Sequence, residues 1–338
     1  MFKETTVEGN LDRDAWLERR MIGIGSSDAP AILGISPYKS ALQLYHEKRG
    51  VLPPHRAEIE QLRWGNILER PIAQRYAEET ERQVEHLADP HKYTLLRHRE
   101  RIWQHASLDG IVFAHAGAMT APGPGVGVLE VKNASSYVGE RWKDEPPVEF
   151  LVQLQHQLAV TGAAWGSIAA LIGGVMFVWQ DIARDQAFID KLTELELLFS
   201  ERIVAGNPPE PDGTEHARAF LNWLYPKDTG EIIQLPPTMI DVANDYAHAK
   251  TEIKGWEERK RAAENQIIAA IGDAALGVLP NGDQFSYKLQ SRKAFTVAEN
   301  SFRVLRMKGT KRAIAIAIGP GQGLALPEYR DGGGDDPE

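Results

Sequence analysis

Gly125-Val126-Gly127-Val128-Leu129-Glu130-Val131-Lys132-Asn133 is an apolar run preceded by Gly and Pro, and it reads as a buried strand. Side chains alternate along a strand, so Val126, Val128, Glu130 and Lys132 share one face while Leu129 and Val131 share the other. A carboxylate and an ammonium two residues apart on such a strand each need a partner, because unpaired buried charge is costly. A solvated ion pair on an edge strand would satisfy the same pattern. Polar residues at core positions elsewhere in the chain tip the balance towards a site.

The chain has 338 residues, enough for one large domain or two smaller ones with a substantial core. With 43% hydrophobic and 25% charged residues, its composition is that of an ordinary globular protein. It has no apolar run of membrane-spanning length, and Met1-Phe2-Lys3-Glu4-Thr5-Thr6 lacks a signal-peptide core, so the expected compartment is the cytoplasm. No cysteine is present, which excludes disulfides, thiolate zinc sites and cysteine-ligated iron–sulfur clusters. Any metal must be held by carboxylate, His, carbonyl or water. The net charge of -9 argues against broad attraction to nucleic acid, although Lys and Arg gather between Lys39 and Arg101.

Taken in order, a helix is expected around Trp16-Leu17, leading to Arg19 and Arg20. Ser26-Ser27-Asp28-Ala29-Pro30 then signals a helix start, which would offer a phosphate seat or only cap the helix. A second helix is expected from Ser36-Pro37 to Gly50. In the segment from Trp64 to Tyr76, Pro71 suits only a position near a helix start. Glu69 lies on one stripe with Ile72, Ala73 and Tyr76, either capping that helix or serving a site. Tyr93 to Phe113 reads as a β-hairpin, with Asp109-Gly110 at a bulge or leading into the Glu130 strand.

Glu149 to Thr161 is a strong helix whose buried stripe holds Leu151, Leu154 and Leu158, with Gln155 inside it and Gln153 and Gln157 pointing elsewhere. Two strands joined at Gly173-Gly174 follow, then a helix ending near Gly206. The domain boundaries drawn from this pattern are a core over 1–206, a linker over 207–237, an accessory module over 238–310 and a flexible tail over 311–338. The module reads as a long polar helix from Met239 to Ala270 and a small hairpin across Pro280-Asn281-Gly282.

Glu69, Asp109, Glu130, Lys132 and Gln155 come from separate helices and strands, each on or near an inward face. Asp followed by Glu-x-Lys on the next strand suits metal-dependent phosphodiester hydrolysis. Mg2+ takes hard oxygen ligands and keeps several waters, so Asp109, Glu130 and the Val131 carbonyl would suffice, with Mn2+ as a substitute. Lys132 would orient or deprotonate the attacking water, or else stabilise transition-state charge, and Gln155 would hold Lys132 or the water.

The segments Gly25-Ser26-Ser27-Asp28-Ala29-Pro30, Trp64-Gly65-Asn66-Ile67-Leu68-Glu69, Ser107-Leu108-Asp109-Gly110, Leu129-Glu130-Val131-Lys132 and Val152-Gln153-Leu154-Gln155 occur in the order of a known family. The chain resembles phage recombination exonucleases of the lambda-exonuclease/YqaJ type, within the PD-(D/E)xK nuclease superfamily. The resemblance implies an α+β fold in which helices flank a mixed central sheet. It also implies 5′-to-3′ digestion of double-stranded DNA ends, work beside a single-strand annealing protein, and a homo-oligomer, a trimeric ring. Carried over by position, Asp109, Glu130 and Lys132 match the metal and water triad, Glu69 the helix-borne acid and Gln155 the helix-borne amide. Arg20 with Ser27 matches the pair that grips a 5′ phosphate. An endonuclease or helicase-associated nuclease of the same superfamily is the nearest rival, and a catalytically silent DNA-binding scaffold is a third reading.

Overall fold

The computed structural model describes residues 2, 4–52, 60–87, 92–114, 123, 125–136, 139, 142, 145–293 and 303–307. The chain divides into two units, Met1–Tyr225 and Pro226–Glu338. The expected mixed α+β arrangement is the one found. Among the described residues, no helix is long and apolar enough to cross a membrane.

The first unit is built on two sheets. One has the order β1-β4-β5-β2, formed by Thr5–Leu11, Tyr93–His98, Gln104–Ala106 and Ile24–Gly25. The other has the order β3-β6-β7-β8-β9, formed by Gln83–His86, Gly110–Phe113, Gly127–Ala134, Trp165–Ile172 and Met176–Ala183. In this second sheet β7 is central, antiparallel to β6 and parallel to β8. Its helices are α1 (Arg13–Met21), α2 (Ala29–Ile32), α3 (Ala41–Lys48), α4 (Glu60–Thr80), α5 (Val148–Thr161), α6 (Gln186–Ala205) and α7 (Glu215–Leu224).

The alternation of β7 sorts the core into two layers. Leu129 and Val131 pack against Ile72, Ala73 and Tyr76 of α4. Val128 packs on the opposite face with Phe150, Leu154 and Leu158 of α5. Gly127 is forced by its neighbour, since a Cβ there would lie 2.6 Å from the Trp165 ring. Under that ring sits Arg82, whose side chain is fully buried and pairs with both oxygens of Asp181 at 2.8 Å. Tyr76 accepts a further bond from Arg82 at 2.7 Å, so the guanidinium ties α4 to the β9 edge.

Helix α5 is buried almost all round, and polar side chains on it are paired. His156 sits between Glu196 of α6, 2.6 Å from Nδ1, and the His105 carbonyl, 3.0 Å from Nε2. Carboxylate and carbonyl both only accept, so both ring nitrogens carry protons. Burial opposes that charge, but the Glu196 carboxylate outweighs it and the His156 pKa is raised.

Several expectations are corrected. Tyr93 to Phe113 is not one hairpin: Leu96 and Arg97 pair with Ala106 and His105, whereas β6 joins the other sheet. The chain changes sheets at Ser107–Asp109, where Trp16 Nε1 donates to Ser107 Oγ at 2.9 Å. Pro71 lies inside the 21-residue α4 rather than near its start. It sits on the exposed side, where water can satisfy the carbonyl its ring leaves without a partner. The first unit does not stop at Gly206, because α7 falls within it. Phe220 of α7 is buried, with its ring 5.1 Å from that of His46 on α3.

The second unit holds α8 (Met239–Ile271) and a two-stranded sheet of β10 (Leu276–Val278) and β11 (Gln284–Ser286). The tail expected over 311–338 lies outside the described residues.

Arg82→Ala would strand Asp181 beside an apolar layer. The expected cost is about 3–5 kcal/mol of unfolding free energy, read by urea denaturation. A loss under about 1 kcal/mol would mean that the pair contributes no more than an exposed bridge.

Candidate active site

Asp109 is the residue at which the chain enters the second sheet. Its Oδ2 accepts the Val131 amide proton at 2.7 Å, so its carboxyl sits beside the middle of β7. The register pairs Gly110 with Leu129, and one further step puts Asp109 opposite Glu130. Opposed residues share a face, so these two acids converge.

Glu130 is buried and accepts three hydrogen bonds. Lys132 Nζ and Gln153 Nε2 both reach Oε1 at 2.5 Å, and Gln157 Nε2 reaches Oε2 at 2.5 Å. Lys132 also donates to Gln153 Oε1 at 3.0 Å and lies 4.8 Å above the centre of the Phe150 ring. Burial works against the Lys132 ammonium, but Glu130 and Asp109 outweigh it and its pKa is raised.

Glu69 arrives from α4. Its Oε1 has no hydrogen-bond partner among the described residues and lies 3.4 Å from His86 Nε2 on β3. Burial, then repulsion from Glu130, pushes its pKa up to about 7, with Lys132 pulling the other way. Burial likewise raises the Asp109 pKa well above the carboxylate range, helped by Glu130 and Glu69. Three acids thus crowd about one ammonium, with two of them driven to hold protons.

That imbalance is what a divalent cation would relieve. Among the described residues no three His, Asp or Glu side chains form a ready-made cage. Mg2+ does not require one, since it binds through one or two carboxylates and retains waters. The donor chemistry of Asp109 and Glu130 fits such an ion.

Gln155 is not in this group. Its Nε2 donates to the Ala183 carbonyl at 2.8 Å and its Oε1 accepts from the Asp185 amide at 3.0 Å, fastening the end of β9. The amides at Glu130 are Gln153 and Gln157, four residues apart and therefore on one helical face. An apolar stripe could not distinguish them on a helix buried on nearly every side.

A second group lies around Arg20, whose Nη2 donates to Ser27 Oγ at 3.0 Å and whose guanidinium stacks 4.4 Å from the Trp16 ring centre. Lys48 Nζ donates to the Arg20 carbonyl at 2.8 Å, and His105 Nε2 lies 3.2 Å from it. Ser26 is buried without a side-chain bond to this arginine among those described, while Ser27 is exposed. Asp28 does not cap α2. It pairs with Lys39 at 3.0 Å and Lys48 at 2.7 Å and accepts the Gly25 amide at 3.0 Å. Burial would raise the Asp28 pKa, yet Lys48 and Lys39 together hold it well below the carboxylate range. With only four residues, α2 supplies little dipole, so charge here comes from side chains.

Lys39, next to the exposed Tyr38 in the run Ser36-Pro37-Tyr38-Lys39, reaches Asp28 at 3.0 Å and so belongs to this group.

Asp109 and the Glu130-Val131-Lys132 run meet on the central strand of a mixed sheet, the arrangement that the Asp and Glu-x-Lys pattern called for. The chain belongs to the YqaJ-like viral recombinase domain family, whose model matches residues 15–164. It is 30% identical over 276 residues to the uncharacterized protein YqaJ of Bacillus subtilis (strain 168), covering 80% of this chain and 82% of that one. Among solved structures, it is similar to an alkaline exonuclease of Laribacter hongkongensis, with a TM-score of 0.46 and 19% identity over 62% of this chain and 99% of that chain. The complex of that exonuclease with dAMP matches with a TM-score of 0.46 and 18% identity, over 63% of this chain and 98% of that chain.

Because the Glu69 pKa of about 7 exceeds that of an unfolded glutamate, the fold is destabilised as pH rises from about 4 through 7. In EDTA, Glu69→Gln is expected to raise stability by about 1–3 kcal/mol at pH 8 and to leave it unchanged at pH 4. Thermal melts at the two pH values check this, and an equal effect at both would reject the raised Glu69 pKa.

Proposed function

We propose that this protein is a metal-dependent 5′-to-3′ exonuclease on double-stranded DNA, which leaves 3′ single-stranded tails for recombination by strand annealing. The observation that carries the reading is the convergence of Asp109, Glu130 and Lys132 beside Glu69. Asp109, Glu130 and the Val131 carbonyl would hold Mg2+, or Mn2+ in its place. Once bound, that ion would supply Lewis-acid polarisation of the phosphate and a more acidic water.

The chain's own residues do the remaining work. Lys132, kept charged by Glu130, is a poor base in this state and a good donor towards phosphate oxygens. Gln153 bridges Lys132 and Glu130 and so sets the distance between ammonium and carboxylate. Gln157 fixes the second Glu130 oxygen. Arg20 and Ser27 would receive a terminal 5′ phosphate. The proposed setting is the cytoplasm of a bacterial host, beside a single-strand annealing protein. The ring of three copies rests on the family resemblance.

The test is digestion of linear against closed circular duplex with Mg2+ or EDTA. Digestion of the linear form alone, abolished by EDTA, is expected, while cleavage of the circle would mean an endonuclease. Lys132→Ala and Asp109→Ala should each lower the rate by at least about 1,000-fold, consistent with loss of a preorganised electrostatic donor or metal ligand. Gln153→Ala should slow the reaction more than Gln155→Ala at equal folded fraction. Arg20→Ala should bring the rate ratio of 5′-phosphorylated to 5′-hydroxyl ends close to one.

A further inference from the structure

The function proposed above makes no use of the second unit, where α8 runs for 33 residues, about 50 Å, without one side chain buried among the described residues. Ile253 and Trp256 at its midpoint are 58% and 64% exposed. A helix of this length ordinarily owes its stability to a covered apolar face.

Its apolar positions recur at alternating steps of three and four. Writing the helix in heptads from Met239 places Met239, Tyr246, Ile253, Lys260 and Ile267 at a. The d positions are then Val242, Ala249, Trp256, Ala263 and Ala270. Lys260 alone interrupts the seam. A mean step of 3.5 residues is the signature of helices that wrap around one another.

We infer that this seam pairs with the same helix of a second copy of the chain, running antiparallel. Size selects the direction. In the antiparallel register centred between Lys254 and Gly255, Tyr246 meets Ala263, Met239 meets Ala270 and Ile253 meets Trp256. Large side chains then face small or medium ones, and Lys260 lies over Ala249 with room for its stem to reach water. A parallel pair would set Trp256 on Trp256, Tyr246 on Tyr246 and Lys260 on Lys260, while the alanines left gaps.

Charge selects the same direction. Beside the antiparallel seam Lys250 faces Glu257 of the second copy and Glu252 faces Arg259, each contact occurring twice by symmetry. In the parallel pair Asp245 would face Lys250 and Arg259 would face Glu264, but Glu252 would face Glu257, a like-charge contact that the antiparallel pair avoids. The contact is two-fold, so any ring formed by the first unit would be joined to another ring, and the particle would hold an even number of chains.

Sedimentation equilibrium of the full-length protein at low salt tests this. The wild type is expected as a particle with an even number of chains, and Ile253→Asp is expected to halve its mass. Exposed charge changes leave the fold intact and give direction. Glu257→Lys should weaken pairing roughly threefold to tenfold, and adding Lys250→Glu should restore it. The chain has no native cysteine, so mixed Ala249→Cys and Lys260→Cys proteins treated with a short bismaleimide should cross-link to each other. A wild-type monomer or trimer, tighter pairing by Glu257→Lys, or self-linking of Ala249→Cys would each overturn the inference.

Discussion

The bond from the Val131 amide ties Asp109, where the chain enters the second sheet, to the middle of β7 at the place where the chemistry is proposed. Without it, the Asp109 carboxyl would have no fixed place beside Glu130. Because β7 is the central strand, with β6 on one side and β8 on the other, its backbone cannot shift to relieve crowding. Acids from α4, from the start of β6 and from β7 are therefore held in mutual repulsion by the same packing that makes the core. Two like charges about 4 Å apart repel by about 4 kcal/mol in a partly polar interior. Burial first, and then the repulsion that one lysine cannot cancel among three carboxyls, push Glu69 and Asp109 towards protonation.

The strands and helices of the first unit were legible wherever one face was apolar and the other was not. The inward stripe of Glu69, Ile72, Ala73 and Tyr76 is of this kind, and its three apolar members are all buried. Glu130 and Lys132 on one face of β7 followed from simple alternation. Periodicity lost its power on α5, where Val152, Leu154 and Leu158 are buried along with Gln155, His156 and Gln157. There the amides are sorted by which acceptor each can reach, a property of three-dimensional neighbours. Helix α7 escaped for the opposite reason. Only Ala217 and Phe220 are buried on it, too little apolar surface to stand out after the Pro- and Gly-rich stretch that precedes it.

The basic cluster illustrates how an acidic protein can present local positive charge. Lys39 and Lys48 would repel one another if they approached without an anion between them. Asp28, buried and ionised, supplies that anion and fixes both ammonium groups. Burial opposes each charge separately, so the arrangement is stable only as a complete set. The exposed Ser27 and the half-buried Arg20 adjoin this set, with the Arg20 carbonyl held by Lys48.

The protonation state of Lys132 bears on which of its two conceivable roles is open to it. As a base it would have to lose a proton, yet Glu130 at 2.5 Å and Asp109 nearby both favour the charged form. The ring of Phe150 beneath it adds a further preference for a cation. Held between Glu130 and Gln153 Oε1, the lysine keeps its charge beside the oxygens that would hold a divalent ion. A fixed cation is suited to screening developing phosphate charge, and that argues for the electrostatic role over the base.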